Sequence, residues 1–273
     1  MEGGITVIFM RFPEGRSRAV VLSYDDGVEQ DAQLMEILDR HGIKCTFNIN
    51  SGMFAPENKV WEKGYLWRRL SQRAARDLYR GTVHEVAAHG LTHASLTEMD
   101  APSIAWEILM DRANLERTFG RIVRGMAYAD GAVNDEVVKN LGSTGIVYAR
   151  TAVSSHGFDL PSDWMRIQPT CHHGDPELMP LVERFLEQKG RWSRLFYLWG
   201  HSYEFERDGN WQLMEAFASR IGGRDDIWYA TNLEIYEYIQ AYRNLVFSAD
   251  GEQVRNPARQ KVWFEQDGVL KCV

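Results

Sequence analysis

The strongest constraint on this chain is the alternation of short apolar segments with amphipathic segments along most of its length. Apolar runs typical of buried strands lie at residues 19–24, 43–49, 83–88, 122–128, 145–148, 165–168, 195–199 and 227–230. Apolar residues spaced as on one face of a helix occur at residues 31–41, 67–79, 103–119, 180–188, 211–221 and 233–242. Strands that alternate with helices pair in parallel through helical crossovers. About seven or eight such units predict a closed or nearly closed (β/α) barrel more than an open sheet.

The pattern changes near residue 245. Asp250-Gly251 and Asp267-Gly268 predict tight turns between short strands, such as residues 262–265 and 269–272. We therefore expect one α/β domain over residues 1–273, with the barrel over residues 18–243 and a short β appendage over residues 244–273 packed on it. The length of 273 residues fits one large domain better than two small ones.

Charge and composition exclude several partners. The formal net charge is −7, and no basic run with interleaved aromatic residues occurs, so we expect no nucleic acid. No stretch approaches the roughly 20 apolar residues of a membrane span, so we expect no membrane partner. The N-terminal apolar run is too short for a signal peptide and has no basic lead. The cysteines, Cys45, Cys171 and Cys272, are odd in number and far apart, which favours a cytoplasmic, reducing location.

Polar and titratable residues follow the predicted strands directly. In (β/α) barrels the chemistry lies at the C-terminal ends of the strands. The residues in that position are Asp25, Asp26, His89, residues 128–131, His172 and His201. Their convergence on one end of a barrel is the main indication of an active site.

Asp25-Asp26-Gly27 and His89-Gly90-Leu91-Thr92-His93 carry the groups best suited to a metal site. Adjacent carboxylates at a strand end point to different sides, so one can bind a metal while the other faces a substrate. Two histidines four residues apart lie on one face of a helical turn and can share one cation. Two histidines and one aspartate are a common ligand set that leaves positions open for water and substrate. The alternatives are a solvated turn capped by Asp and a pair of structural histidines.

His201 and the pair His172-His173 are further candidates. His201 ends the apolar run 195–199, where a histidine is either a buried core residue or a general acid at the barrel mouth. Adjacent residues of an extended segment diverge, so at most one of His172 and His173 is expected near the site.

Together these segments resemble the polysaccharide deacetylase family, also called the NodB-homology or carbohydrate esterase 4 group. Ser23-Tyr24-Asp25-Asp26-Gly27 resembles its first motif, His89-Gly90-Leu91-Thr92-His93 its second, and Leu198-Trp199-Gly200-His201 its last. The resemblance spans roughly residues 18 to 243. It implies a distorted (β/α) barrel and a metal-dependent hydrolase that removes N-acetyl groups from a carbohydrate, acting on amide but not peptide bonds.

The resemblance also implies roles for individual residues. Asp25 would be the catalytic base, His201 the general acid, and Asp26, His89 and His93 the ligands of one divalent metal. Zinc is favoured, with cobalt, manganese and nickel as alternatives. Such an ion lowers the pKa of bound water to about 7 and polarises the acyl carbonyl.

The third motif departs from the family. The stretch is Ala127-Tyr128-Ala129-Asp130-Gly131, with Asp130 in place of the usual Tyr; its backbone N–H would serve as an oxyanion donor. Tyr128 and Gly131 are expected beside it at the substrate. The usual Arg, which orients the base, aligns with Ala127, and Arg124 faces elsewhere on an extended strand. Trp164 of Asp163-Trp164 either lines the acetyl pocket or packs under a loop.

Two other functions remain open at this level. One is a related metal amidohydrolase acting on small non-sugar amides, which the same residues would serve. The other is a non-catalytic protein that binds a metal or a sugar, which the altered third motif suggests.

Overall fold

The computed structural model describes residues 7–188 and 190–273; residues 1–6, part of the N-terminal run considered above, lie outside this range. The strands are β1 (Ile8–Arg11), β2 (Arg18–Asp25), β3 (Thr46–Ile49), β4 (Glu85–Ala88), β5 (Gly125–Ala127), β6 (Tyr148–Arg150), β7 (Cys171–His172), β8 (Arg194–Gly200), β9 (Ile227–Tyr229), β10 (Val246–Phe247), β11 (Val254–Arg255), β12 (Trp263–Gln266) and β13 (Val269–Cys272). The helices are α1 (Asp31–Arg40), α2 (Gln72–Tyr79), α3 (Ala101–Phe119), α4 (Asp135–Leu141), α5 (Leu178–Glu187), α6 (Ser202–Arg207), α7 (Trp211–Ile221) and α8 (Asn232–Arg243).

Strands β2 to β9 form one parallel sheet. Its order is β6-β5-β4-β3-β2-β8-β7, and β9 pairs with β2. Strand β9 pairs with the first half of β2 and β3 with its last residues, so β2 is the centre of the sheet. This confirms the prediction of a parallel α/β fold built from repeated strand–helix units.

One chain segment links the two edges of the sheet. Thr151, just after β6, donates from its N–H to the carbonyl of Ile167 at 2.9 Å. Thr170 lies three residues after Ile167 in the same segment, and its N–H donates to the carbonyl of Tyr197 in β8 at 2.8 Å. The run 165–168 is therefore not the regular strand expected, since only Ile167 makes a β-bridge, to Arg150. The sheet is a distorted barrel, as predicted.

Side chains of β2 alternate between two cores. Val20, Leu22 and Tyr24 pack with the helices, whereas Ala19 and Val21 pack in a second cluster with Tyr197. Successive side chains of a strand point to opposite faces, so Ser23 and Asp25 share the face of Ala19 and Val21. Burial on both faces explains why the strand has an uninterrupted apolar sequence.

The start of α2 differs from the expected helix at residues 67–79. The helix begins at Gln72 because the hydroxyl of Ser71 accepts the N–H of Ala74, at 3.2 Å, as an N-cap. Residues 67–71 are therefore outside the helix, and the side chains of Trp67 and Arg69 are free to turn toward the strand ends. By contrast, α3 ends where expected, at Gly120, which adopts a left-handed φ of 68°.

The C-terminal tail forms two small antiparallel sheets, in the order β1-β12-β13 and β10-β11. Asp267 and Gly268 both have positive φ, as the tight turn between β12 and β13 requires. The tail strands were expected, but the addition of β1 from the opposite end of the chain was not. Within the described residues, no helix combines the length and apolarity needed to cross a membrane.

Candidate active site

A cavity of about 310 Å³ opens at the C-terminal ends of the barrel strands. It is lined by Asp25, Asp26, Trp67, His89, His93, Tyr128, Asp130, Gly131, Arg150, Ala152, Trp199, His201 and Tyr203. Most of the residues predicted for the site are therefore together. A larger cavity of about 480 Å³ lies near Phe9, Trp192 and Ile239, but no histidine lines it.

The two histidines of the second motif lie on a loop and not on the helical turn expected. Gly90 and His93 have positive φ values of 81° and 59°, which a right-handed helix cannot contain. Buried acids of α3 hold this loop instead. Asp111 accepts the N–H of His89 at 3.0 Å, and Glu107 accepts both the N–H and the hydroxyl of Thr92. The loop brings the rings of His89 and His93 to 4.9 Å, nearly perpendicular.

Asp26 lies directly after β2 with a φ of 88° and is almost fully buried. Its Oδ1 is 3.8 Å from the Nε2 atoms of both His89 and His93. The same oxygen is 3.0 Å from the guanidinium of Arg69, and the indole N–H of Trp67 donates to Oδ2 at 2.8 Å. Asp26, His89 and His93 form one of two clusters among the described residues with a metal-compatible arrangement.

These three residues fit a divalent metal. The Nδ1 of His89 lies 2.9 Å from the carbonyl of Ala127, so Nδ1 carries the proton and Nε2 presents its lone pair to the cavity. That Nε2 is buried without a hydrogen-bond partner among the described residues. Ligands about 2.0–2.2 Å from zinc must lie within about 4.2 Å of each other, which the 3.8 Å separations satisfy.

Asp25, the last residue of β2, is held on the other side of the cavity. Asn48 donates to its Oδ1 at 2.8 Å, and Arg150 contacts both of its oxygens. Burial alone would raise the pKa of Asp25, but the charges of Arg150, His89 and His201 outweigh it and lower the pKa to about 2. Asp25 is thus a carboxylate at neutral pH.

Arg150 pairs with Asp25, the contact that the family resemblance assigns to the third-motif arginine, which this chain lacks. It ends β6, is 1% exposed, and its guanidinium also stacks on the ring of Trp199 at 4.5 Å. The apolar run 145–148 predicts a strand that ends before this residue, but the strand covers Tyr148–Arg150. The sequence signal for this residue was an arginine just after a predicted strand. It was missed because the predicted end of that strand was too early.

His201 follows β8 and faces Asp25, with 3.9 Å between its Nε2 and Asp25 Oδ2. Its Nδ1 is 3.3 Å from Glu204 Oε2, and Glu204 also accepts the backbone N–H of His201. Burial opposes protonation, yet the contact with Glu204 and the charges of Asp25 and Asp26 raise the pKa of His201 above its usual value. Glu204 lies on the short helix α6, which the sequence pattern did not predict.

Glu204 also joins His172, His173 and His201 in a second polar cluster. Its Oε2 is 2.9 Å from the Nε2 of His172 and 3.4 Å from that of His173. The N–H of Gly174 donates to the Nδ1 of His172 at 3.0 Å, so in neutral His172 the proton is on Nε2, pointing at Glu204. His172 therefore donates a hydrogen bond to Glu204 and has no lone pair left for a metal.

The third-motif residues are only partly placed as expected. Tyr128, Asp130 and Gly131 line the cavity, but the Tyr128 hydroxyl donates to the carbonyl of Met165 at 2.8 Å and turns away from it. Trp164, expected either to line the acetyl pocket or to pack under a loop, lies outside the cavity. It packs edge-on against Tyr236 at 5.0 Å, and the indole that lines the cavity beside Arg150 is Trp199.

Backbone strain is concentrated around the cavity. Three of its lining residues that are not glycine, Asp26, His93 and Asp130, have positive φ values of 88°, 59° and 56°. Such conformations cost about 1–3 kcal/mol each and persist only where the surrounding structure imposes them. This concentration is typical of a site selected for geometry over stability.

Fold and site together define a distorted (β/α) barrel with one Asp-His-His cluster beside a buried carboxylate. The polysaccharide deacetylase family model matches residues 13–149, and the chain belongs to this family, the NodB-homology or carbohydrate esterase 4 group. No curated protein gives a significant match.

Solved structures of similar fold come from this family. A putative polysaccharide deacetylase from Mycobacterium smegmatis is 20% identical with a TM-score of 0.62, over 85% of this chain and 93% of the other. The Xyl-CE4 domain of a xylanase from the hindgut metagenome of Trinervitermes trinervoides is 18% identical, with a TM-score of 0.51 over 83% and 92% of the two chains. A mutant of a Bacillus anthracis CE4 family pseudoenzyme with restored enzymatic activity is 17% identical, with a TM-score of 0.50 over 83% and 70%. At these identities the similarity shows the fold.

Proposed function

We propose that this protein is a metal-dependent deacetylase that hydrolyses the N-acetyl groups of a carbohydrate. The observation that carries the proposal is the cavity in which Asp26, His89 and His93 face one point while Asp25 and His201 flank it. Family membership supports a carbohydrate deacetylase in general. We further propose that the hydrolysis depends on a bound metal and that the group removed is an N-acetyl group.

Asp26 Oδ1 and the Nε2 atoms of His89 and His93 would hold the ion, for which zinc, cobalt, manganese and nickel are the candidates. When bound, such an ion polarises the acyl carbonyl and makes water more acidic. Arg69 pairs with Asp26 and Arg150 with Asp25, so each of the two buried carboxylates has a cationic partner in the same cavity.

Asp25 acts as the base. Its Oδ2 is 3.8 Å from His89 Nε2 and 3.9 Å from His201 Nε2, between the metal ligands and the proposed acid. A water beside the acetyl carbon gives its proton to this oxygen as it attacks. Arg150 and Asn48 keep the carboxylate oriented and ionised for that transfer.

His201 acts as the acid, because an amine leaves readily only when it is protonated. Glu204 holds Nδ1, so Nε2–H points into the cavity toward the position of the leaving nitrogen. The proton goes from Nε2 to that nitrogen as the carbon–nitrogen bond breaks. The products are acetate and a free amino sugar.

The turn after β5 supplies the oxyanion donor. The N–H of Tyr128 donates to the carbonyl of Arg150, and the N–H of Gly131 to the carbonyl of Tyr128, both at 3.1 Å. Ala129 and Asp130 lie between them, and by the family resemblance the N–H of Asp130 is the group that would stabilise a developing negative charge. The side chain of Asp130 adds a carboxylate at the cavity, which would favour a substrate with a cationic or hydroxyl-rich neighbouring group.

An amidohydrolase of small non-sugar amides is the second candidate, supported by the small size of the cavity, about 310 Å³. A non-catalytic metal- or sugar-binding role was suggested by the altered third motif. Arg150 supplies the pairing with Asp25 that this motif lacks, so that argument no longer applies.

The decisive experiment measures acetate release by zinc-loaded protein from N-acetylated chitooligosaccharides, in parallel with amine release from small N-acyl amides. We expect acetate from the oligosaccharides, its loss with a chelator, and its return with added zinc. Turnover of the small amides alone would favour the second candidate. Tight zinc binding with no turnover of either class would contradict a hydrolase.

A further inference from the structure

The loop between β3 and α2 contacts the metal ligand Asp26 through two side chains, Trp67 and Arg69. Trp67 is exposed by 39% and lines the cavity, while Arg69 is buried. The loop is anchored beside the first motif, because the N–H of Leu70 donates to the carbonyl of Gly27 at 3.0 Å. Neither Trp67 nor Arg69 belongs to the motifs on which the metal site was predicted.

The two oxygens of Asp26 have different surroundings. Oδ2 accepts the indole N–H of Trp67 at 2.8 Å. Oδ1 contacts Arg69 at 3.0 Å and faces His89 and His93, both at 3.8 Å. A carboxylate oxygen has two lone pairs, so Oδ1 can accept Arg69 and still bind a cation. The indole N–H engages Oδ2, and Oδ1 is the oxygen that faces the two histidines.

Arg69 also holds the backbone that presents this carboxylate. Its Nη1 donates to the carbonyl of Asp26 and to Asn50 Oδ1, the latter at 2.7 Å. Asn50 in turn donates to the carbonyls of His89 and Gly90, at 2.6 and 2.8 Å. The guanidinium therefore connects the left-handed backbone of Asp26 to the loop that carries the histidines. It is also 4.9 Å from the ring of Trp67, which positions the indole.

We propose that Trp67 is a positioning residue for the metal: its indole N–H retains Asp26 Oδ2, so that Asp26 binds the ion through Oδ1 alone. This rests on the proposed metal site. Since Trp67 also forms a wall of the substrate cavity, a substrate that moves the indole would alter the grip on Asp26.

The test is a zinc titration of metal-free protein, in competition with a chromophoric chelator and without substrate. Trp67→Phe removes the N–H but keeps an aromatic ring, and the partial exposure of Trp67 means that no core cavity results. Loss of a partner that orients a metal ligand typically costs about 10–100-fold in metal affinity, and we expect a loss in this range. Trp61→Phe is the matched control, because Trp61 is on the same loop but stacks on Tyr65, at 4.9 Å.

A double-mutant cycle separates an effect through Asp26 from a general disturbance of the loop. In the Asp26→Asn background, which keeps one carbonyl oxygen for the ion but no carboxylate oxygen to accept the indole N–H, Trp67→Phe should cause no further loss of zinc affinity. An affinity of Trp67→Phe equal to that of the wild type, or an equal loss in the wild-type and Asp26→Asn backgrounds, would overturn the inference. If the wild type itself binds no zinc, the proposed function fails instead, and thermal unfolding of each variant checks that it is folded.

Discussion

Among the described residues, two clusters each combine one carboxylate with two histidines but differ in geometry. Each contains one carboxylate and two histidines whose donor atoms lie within 4.8 Å of one another: Asp26 with His89 and His93, and Glu204 with His172 and His201. In the first, the nitrogens are 3.8 Å from the carboxylate oxygen, too far for hydrogen bonds. In the second, the nitrogens are 2.9 and 3.3 Å from it.

The tautomers of the histidines explain the difference. His89 uses Nδ1 to reach a carbonyl and leaves a lone pair on Nε2. His172 receives an N–H at Nδ1 and must place its proton on Nε2. The first cluster therefore surrounds a space that suits a cation, and the second is a closed hydrogen-bond network that holds the proposed acid. Residue types alone do not distinguish the two clusters. The backbone group that contacts Nδ1 does: it is a carbonyl for His89 and an N–H for His172.

The largest expected effect separates the clusters by metal content. His93→Ala removes a ligand and should leave the protein without zinc after dialysis. His172→Ala should retain the full content of the wild type, because His172 is not a ligand. Metal analysis of both purified variants checks this. Retention of zinc by His93→Ala would mean that the ion binds elsewhere.

Asp25→Asn tests the carboxylate that stands beside the first cluster without belonging to it. The amide keeps the shape but cannot accept the proton, so turnover should fall by about 10²–10⁴-fold. Zinc content should be unchanged. The measurement is acetate release at saturating substrate, with metal content from the same sample. Loss of the metal together with activity would show that Asp25 is a ligand.

His201→Ala tests the acid held by the second cluster. Amide hydrolysis should slow by about 10²–10⁴-fold, whereas an activated phenyl ester should lose much less, since a phenolate leaves without a proton. The ratio of the two losses is the measurement. Equal losses for ester and amide would assign His201 a structural or oxyanion-stabilising role.

Glu204→Gln should have the smallest effect, on the pH profile. Although burial lowers it, the pKa of His201 is raised overall, mainly by its contact with Glu204. The protonated acid persists below that pKa and is lost as the pH rises through it. Removing the carboxylate lowers the pKa, so the alkaline limb of the rate should move to lower pH with zinc content unchanged. A profile that coincides with that of the wild type would show that Glu204 does not tune His201.

Local patterns predicted the parts of the fold in which short-range chemistry dominates. A strand that is buried on both faces has an apolar sequence, and an amphipathic helix has apolar residues at helical spacing. Strand β8 and helix α7 lie where these two patterns predict them. Predicted boundaries failed where a cap or pairing decides them: Ser71 delays α2, and pairing with β5 places β6 at Tyr148–Arg150, three residues later than its apolar run begins. Those two shifts hid Trp67, Arg69 and Arg150 from the sequence-based site.

The sequence by itself determined the family, the barrel class and the cluster of Asp25, Asp26, His89, His93 and His201, because each residue lies at or shortly after the end of a strand and the C-terminal ends of parallel strands meet. Only the tertiary structure decided what surrounds them. Arg150 pairs with Asp25 from a position 125 residues away in the sequence. Trp164 packs against Tyr236 outside the cavity, and Glu204 joins His201 to His172. Such contacts depend on where loops and strand ends lie in space, and no local period in the sequence records that.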